Sequence, residues 1–182
     1  MIADFEDRNR VIAHEAGHAV VIWATPSFPP VTAINFYPAY ERADCALPFY
    51  PEPRDVGGYL EFASVFMGGC AGEMHALGGF DRVVGSDMAW GLAVAGVVRL
   101  MDKLPRGRRK GPPTHFRRVL PHGLHAGMKE FLNLAYDLAI RRIETHHEAY
   151  GRLRDKLIIG YALGRVEFHA EEISEWLGPR PI

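Results

Sequence analysis

At 182 residues the chain is long enough to bury a real core and too short for two independent domains. Its 21 basic and 22 acidic residues nearly cancel, and with 48% hydrophobic content this excludes a disordered chain or one built to coat nucleic acid. The two cysteines, Cys45 and Cys70, lie far apart and form no CxxC pair, which excludes a disulfide framework and a cysteine zinc site and points to a reducing, cytoplasmic setting.

The first residues, Met-Ile-Ala-Asp-Phe-Glu-Asp-Arg, are mixed and acidic, unlike a signal peptide. From about Asp4 to Ala24 the apolar residues Phe5, Val11, Ile12, Ala16, Ala19, Val20 and Trp23 recur at mostly three- and four-residue steps and stop before Pro26, which predicts an amphipathic helix. Val31 to Tyr37 has the branched and aromatic content of a strand, and Val56 to Phe62 reads as a second extended piece, so a small sheet is expected. Helical periodicity runs from Phe62 to Leu77, pauses at Gly78-Gly79 and returns from Ser86 to Leu104. The basic stretch from Arg106 to Pro113 reads as a solvated connection, because no aromatic or further basic run joins it to make a nucleic-acid patch. A long helical pattern follows from His122 to Leu163, with a break expected near Gly151, and a last short helix follows His169. The apolar runs Ala19 to Ala24 and Leu92 to Val98 fall short of the roughly 20 residues that a membrane-spanning helix needs, so no span is expected. The predicted class is α+β, predominantly helical, in a single domain: residues 1–104 carry the site and residues 120–182 form a helical C-terminal part.

The chemistry lies in His14-Glu15-Ala16-Gly17-His18 on the first helix. Residues four apart project from one face, so the two imidazoles can share one metal ion, with zinc the natural occupant at one per chain. Glu15 is rotated about 100° from His14 by the helical period. It therefore reaches a water on the metal, as a general base, more readily than the metal itself. Gly17 costs the helix roughly 1 kcal/mol relative to alanine, a sign that something packs closely there. A catalytic zinc site needs a third protein ligand. The candidates are Glu73, Asp81, Asp87 and the histidines from His115 onward, and spacing does not choose among them.

Read together, Arg10 to Val21, Gly68-Gly69-Cys70-Ala71-Gly72-Glu73, Val84-Gly85-Ser86-Asp87-Met88 and Leu157 to Trp176 resemble, in the same order, four elements of the peptidase domain of the FtsH family of ATP-dependent zinc proteases. These are that family's HExxH helix, its GGRxAE element, its TGASNDL segment, and its closing helix, extended turn and final EEI-type helix. The resemblance implies that His14, His18 and Asp87 bind zinc, that Glu15 is the general base and that Glu73 orients a ligand from behind. It also implies that Gly57, Gly58 and Tyr59 lie on an edge strand beside the cleft, where an extended substrate adds by β-augmentation. Ser86 stands where the family usually has asparagine, Cys70 replaces its arginine, and the loop from Gly85 to Asp87 is shortened. The chain has no GxxxxGK(S/T) phosphate loop, so energy-driven unfolding would fall to a separate ATPase, and the family's hexamer is not implied. The expected activity is zinc-dependent hydrolysis of peptide bonds in unfolded or flexible polypeptides. The alternative is a non-catalytic, zinc-stabilised interaction or regulatory module derived from a protease; the intact Glu15 favours the enzyme.

Overall fold

The computed structural model describes residues 5–40, 42–79 and 126–181, together with Asp87, Gly91, Ala93, Val94, Ala95 and Val98. In chain order these form α1 (Phe5–Trp23), β1 (Ala33–Tyr37), a single 3-10 turn, β2 (Arg42–Ala46), α2 (Val56–Phe66), α3 (Gly68–Leu77), α4 (Ala126–Thr145), α5 (His147–Ala162), β3 (Glu167–His169) and α6 (Ala170–Leu177). The class is α+β and mostly helical, with a three-stranded antiparallel sheet in the order β2-β1-β3. The described positions between Asp87 and Val98 are helical, whereas the ends of the helix expected from Ser86 to Leu104, and the basic loop after it, lie outside the described residues.

The first helix is the centre of the molecule. Ile12, Ala13, Ala16, Ala19, Val20, Val21 and Ile22 are all nearly inaccessible, and burial around the whole circumference marks a core helix. Alternate residues of β1 point inward, so Ile34 and Phe36 join the same core, with Ile34 opposite Cys45 on one side and Phe168 on the other. Phe131, Leu132, Ile143, Tyr150, Leu153 and Leu157 from α4 and α5 extend that core without a gap.

The crossing of α1 and α3 is closer than any side chain would permit. A Cβ on Gly17 would lie 2.2 Å from the Gly68 carbonyl oxygen, and one on Gly72 would lie 2.3 Å from the Ala13 carbonyl oxygen. The Tyr150 hydroxyl, buried on α5, donates to the Gly72 carbonyl at 2.8 Å and holds the crossing from below. At the far end of α1, the Arg180 guanidinium donates to the carbonyls of Ile22, Trp23, Thr25 and Phe28, satisfying oxygens that the end of a helix leaves unpaired.

Three expectations are corrected. Val56 to Phe62, expected to be extended, begins α2: the Asp55 carboxylate accepts from the Gly58 amide at 2.8 Å, and this N-cap outweighs the strand content of Val56 and Tyr59. Gly57, Gly58 and Tyr59 are thus in the first turn of a helix and present no strand edge. The second strand is Arg42–Ala46 instead, five residues without a β-branched side chain, held by its register against β1. The helix expected without interruption from Phe62 to Leu77 is broken at Met67, where Gly68 abuts α1. The break expected near Gly151 falls at His146, and Gly151 lies within α5.

Candidate metal centre

His14 and His18, one turn apart on α1, are 5% and 8% exposed. The His18 Nδ1 lies 2.7 Å from the Val65 carbonyl oxygen. A carbonyl only accepts, so the proton sits on Nδ1 and Nε2 of the neutral ring offers its lone pair. The His14 Nδ1 donates in the same way to Oε1 of Glu73, at 2.8 Å, from α3. Glu73 reaches this depth because of the glycine crossing, and Gly69 leaves room for the ring itself: a Cβ there would lie 2.3 Å from the His14 imidazole.

The two Nε2 atoms are 3.1 Å apart, and Oδ2 of Asp87 is 3.0 Å from that of His14 and 3.1 Å from that of His18. Zinc bonds of roughly 2.0–2.1 Å in a tetrahedron place ligand atoms about 3.3 Å apart, so this triangle is close to one face of such a site. With both Nδ1 atoms already donating, neutral rings would point two lone pairs and a carboxylate oxygen at one spot, an arrangement that could hold a cation. Among the described residues, His14, His18 and Asp87 are the one group of three or more ligand residues able to hold a metal. Of the other third-ligand candidates, the histidines at His146, His147 and His169 belong to no such group, and Asp81 and the histidines from His115 to His125 lie outside the described residues.

Burial opposes a charge on His14, but hydrogen bonds to Asp87 and Glu73 and the charges of Glu15 and Asp87 outweigh it and raise its pKa to about 10. His18 is raised as well, against its own burial, by Asp87. Asp87 moves the opposite way: burial would raise it, yet the two histidines hold it well below the usual carboxylate range.

Glu15 is 5% exposed and makes no hydrogen bond among the described residues. Burial raises its pKa, opposed by the nearby histidines. It opens with His14, His18 and Asp87 onto a cleft of about 310 Å³. Sequence reasoning missed the opposite wall, formed by β2 through Ala43, Asp44 and Cys45, and the aromatic side, where Tyr50 stacks on Phe66 at 5.9 Å. Neither wall carries a motif. Arg10, also missed, borders the cleft one turn before His14, a spacing that the i, i+4 rule makes readable.

The chain matches no protein-family model and no curated protein. Any functional reading rests on the geometry of the site and on the motifs that form it.

Proposed function

We propose that this chain is a zinc-dependent endopeptidase of the HExxH type, akin to the proteolytic part of the FtsH family, acting on unfolded or flexible polypeptides in the cytoplasm. The observation that carries the reading is the convergence of His14 Nε2, His18 Nε2 and Asp87 Oδ2 beside a buried Glu15 that makes no hydrogen bond among the described residues. His14, His18 and Asp87 would hold one zinc ion, which supplies Lewis acidity for the attacking water and the peptide carbonyl.

The remaining work belongs to the chain's own residues. Glu15 takes a proton at its carboxylate from the attacking water and returns it to the leaving amine nitrogen, so that one water and one peptide bond become an acid and an amine. Burial raises the proton affinity of this carboxylate, which favours its taking up the proton. Glu73 and the Val65 carbonyl fix the tautomer and tilt of the two rings. β2, at one edge of the sheet and along the cleft, takes the place expected of Gly57 to Tyr59: an extended substrate pairs with its backbone while alternate side chains enter the cleft. Among the described residues no helix is long and apolar enough to cross a membrane.

The decisive variant is Glu15→Gln, which keeps the shape of the side chain and removes its ability to accept the proton. Zinc content and folding should match wild type while hydrolysis of an unfolded protein such as casein falls by about 10²-fold or more. Wild-type turnover in that variant would refute the assignment of Glu15. Bound zinc with no hydrolysis by the wild-type chain would favour a zinc-stabilised binding module.

A further inference from the structure

We propose that Arg10 is a positioning residue that acts on the metal site through Glu73. The inference rests on the metal-site reading above and extends it to a residue to which neither the spacing nor the resemblance gave a role. Arg10, His14 and His18 occupy successive turns of one face of α1. The Arg10 Nη1 donates to Oε2 of Glu73 at 3.0 Å and lies 3.4 Å from the Gly79 carbonyl oxygen, while the other carboxylate oxygen of Glu73 accepts from His14 Nδ1 at 2.8 Å. One carboxylate thus bridges a guanidinium and an imidazole whose far nitrogen points at the metal position.

Glu73 is 2% exposed, so its orientation is set by its partners and not by water. A buried carboxylate requires a compensating charge, and Arg10 brings one to it from the cleft side, where its own side chain keeps 29% exposure. With Oε2 held, Oε1 stays in line with the His14 Nδ1 proton, which fixes the ring and increases the electron density that Nε2 offers to a cation. Without Arg10, the carboxylate loses that partner and is free to turn away from His14. Arg10 therefore contributes to metal affinity without being a ligand, and the glycine crossing that brings Glu73 to α1 serves both contacts.

The test is a competitive chelator titration of Zn²⁺ into the metal-free full chain, with Co²⁺ absorption as a second readout of ligand geometry. Arg10→Met and Arg10→Gln should each weaken zinc binding by about tenfold and alter the cobalt spectrum, with Arg10→Lys recovering part of the loss because it restores the charge. In a Glu73→Ala background the Arg10 substitutions should cost nothing further, since the carboxylate that transmits the effect is gone. Equal losses with and without Glu73, or wild-type affinity in both neutral variants, would overturn the relay while leaving the metal site intact. A wild-type chain that binds no zinc would overturn the metal reading and this one with it.

Discussion

At the scale of single residues, the site separates groups that would touch the metal from groups that hold those in place. Asp87 faces both Nε2 atoms, whereas Glu73 faces the far side of His14. The two carboxylates are therefore not interchangeable. Asp87→Ala should abolish stoichiometric zinc binding, while Glu73→Ala should retain a site weakened by about 10- to 100-fold. Metal analysis after dialysis, combined with chelator competition, measures both. Full occupancy in Asp87→Ala with loss in Glu73→Ala would exchange their roles. Cys70, at the position where the resembled family has arginine, is fully buried and burial pushes its thiol well up, so it behaves as a small apolar side chain of the core.

At the scale of elements, the α1–α3 crossing decides whether the site exists, because it alone brings Glu73 and Gly69 against His14. Gly17 and Gly151 both lie inside helices, and helix propensity favours alanine at each by roughly 1 kcal/mol. Their surroundings differ completely. A Cβ at Gly17 meets backbone at 2.2 Å, while nothing lies within 4 Å of one at Gly151. Gly17→Ala should therefore destabilise the chain by about 3 kcal/mol or more, since neither backbone can yield without parting the helices, and should weaken zinc binding too. Gly151→Ala should be neutral or stabilise by about 0.5–1 kcal/mol. Urea denaturation of the two variants checks the contrast; equal effects would show that the close crossing is not a constraint.

At the scale of the whole molecule, the proposed ligands come from α1 and from Asp87, far apart in sequence, and such a set is assembled only in the folded chain. Zinc should consequently stabilise the fold. At a free concentration of 100 times Kd the gain is about 2.7 kcal/mol. For a chain of this length that corresponds to a rise in Tm of roughly 5–10 °C, reversed by a chelator. Thermal denaturation with and without zinc measures it, and an unchanged Tm would argue against a site built across elements.

The scope of hydrolysis belongs to the same scale. Folded domains are typically stable by about 5–15 kcal/mol, so a peptidase without an energy source finds few extended segments in them. The 182 residues hold no GxxxxGK(S/T) loop. The purified chain should cleave a destabilised, unfolded variant of a test domain and leave its stable parent intact, with or without ATP. Rapid cleavage at sites buried in the folded parent would refute this.

Much of this was legible in the residues themselves, for a physical reason: helical and capping signals are local. The apolar spacing before Pro26, the pause at Gly78, whose φ of 71° suits glycine, and the short helix after His169 all appear as read. The histidine pair was equally legible, because i and i+4 on one helix share a face whatever surrounds them. Gly17 signalled a close contact but could not name its partner. The tertiary structure alone decided what depends on distant segments meeting. It made Arg42–Ala46 a strand despite its composition, since the ladder with β1 supplies what β-branched side chains do not. It turned Val56 to Tyr59 into a helix start through one cap, and it put Asp87, which the resemblance implied but spacing left open, and not Glu73 opposite both imidazoles. Spacing along the chain cannot make that last choice, because Glu73 reaches Nδ1 through the α1–α3 crossing whereas Asp87 reaches both Nε2 atoms from a separate stretch of chain.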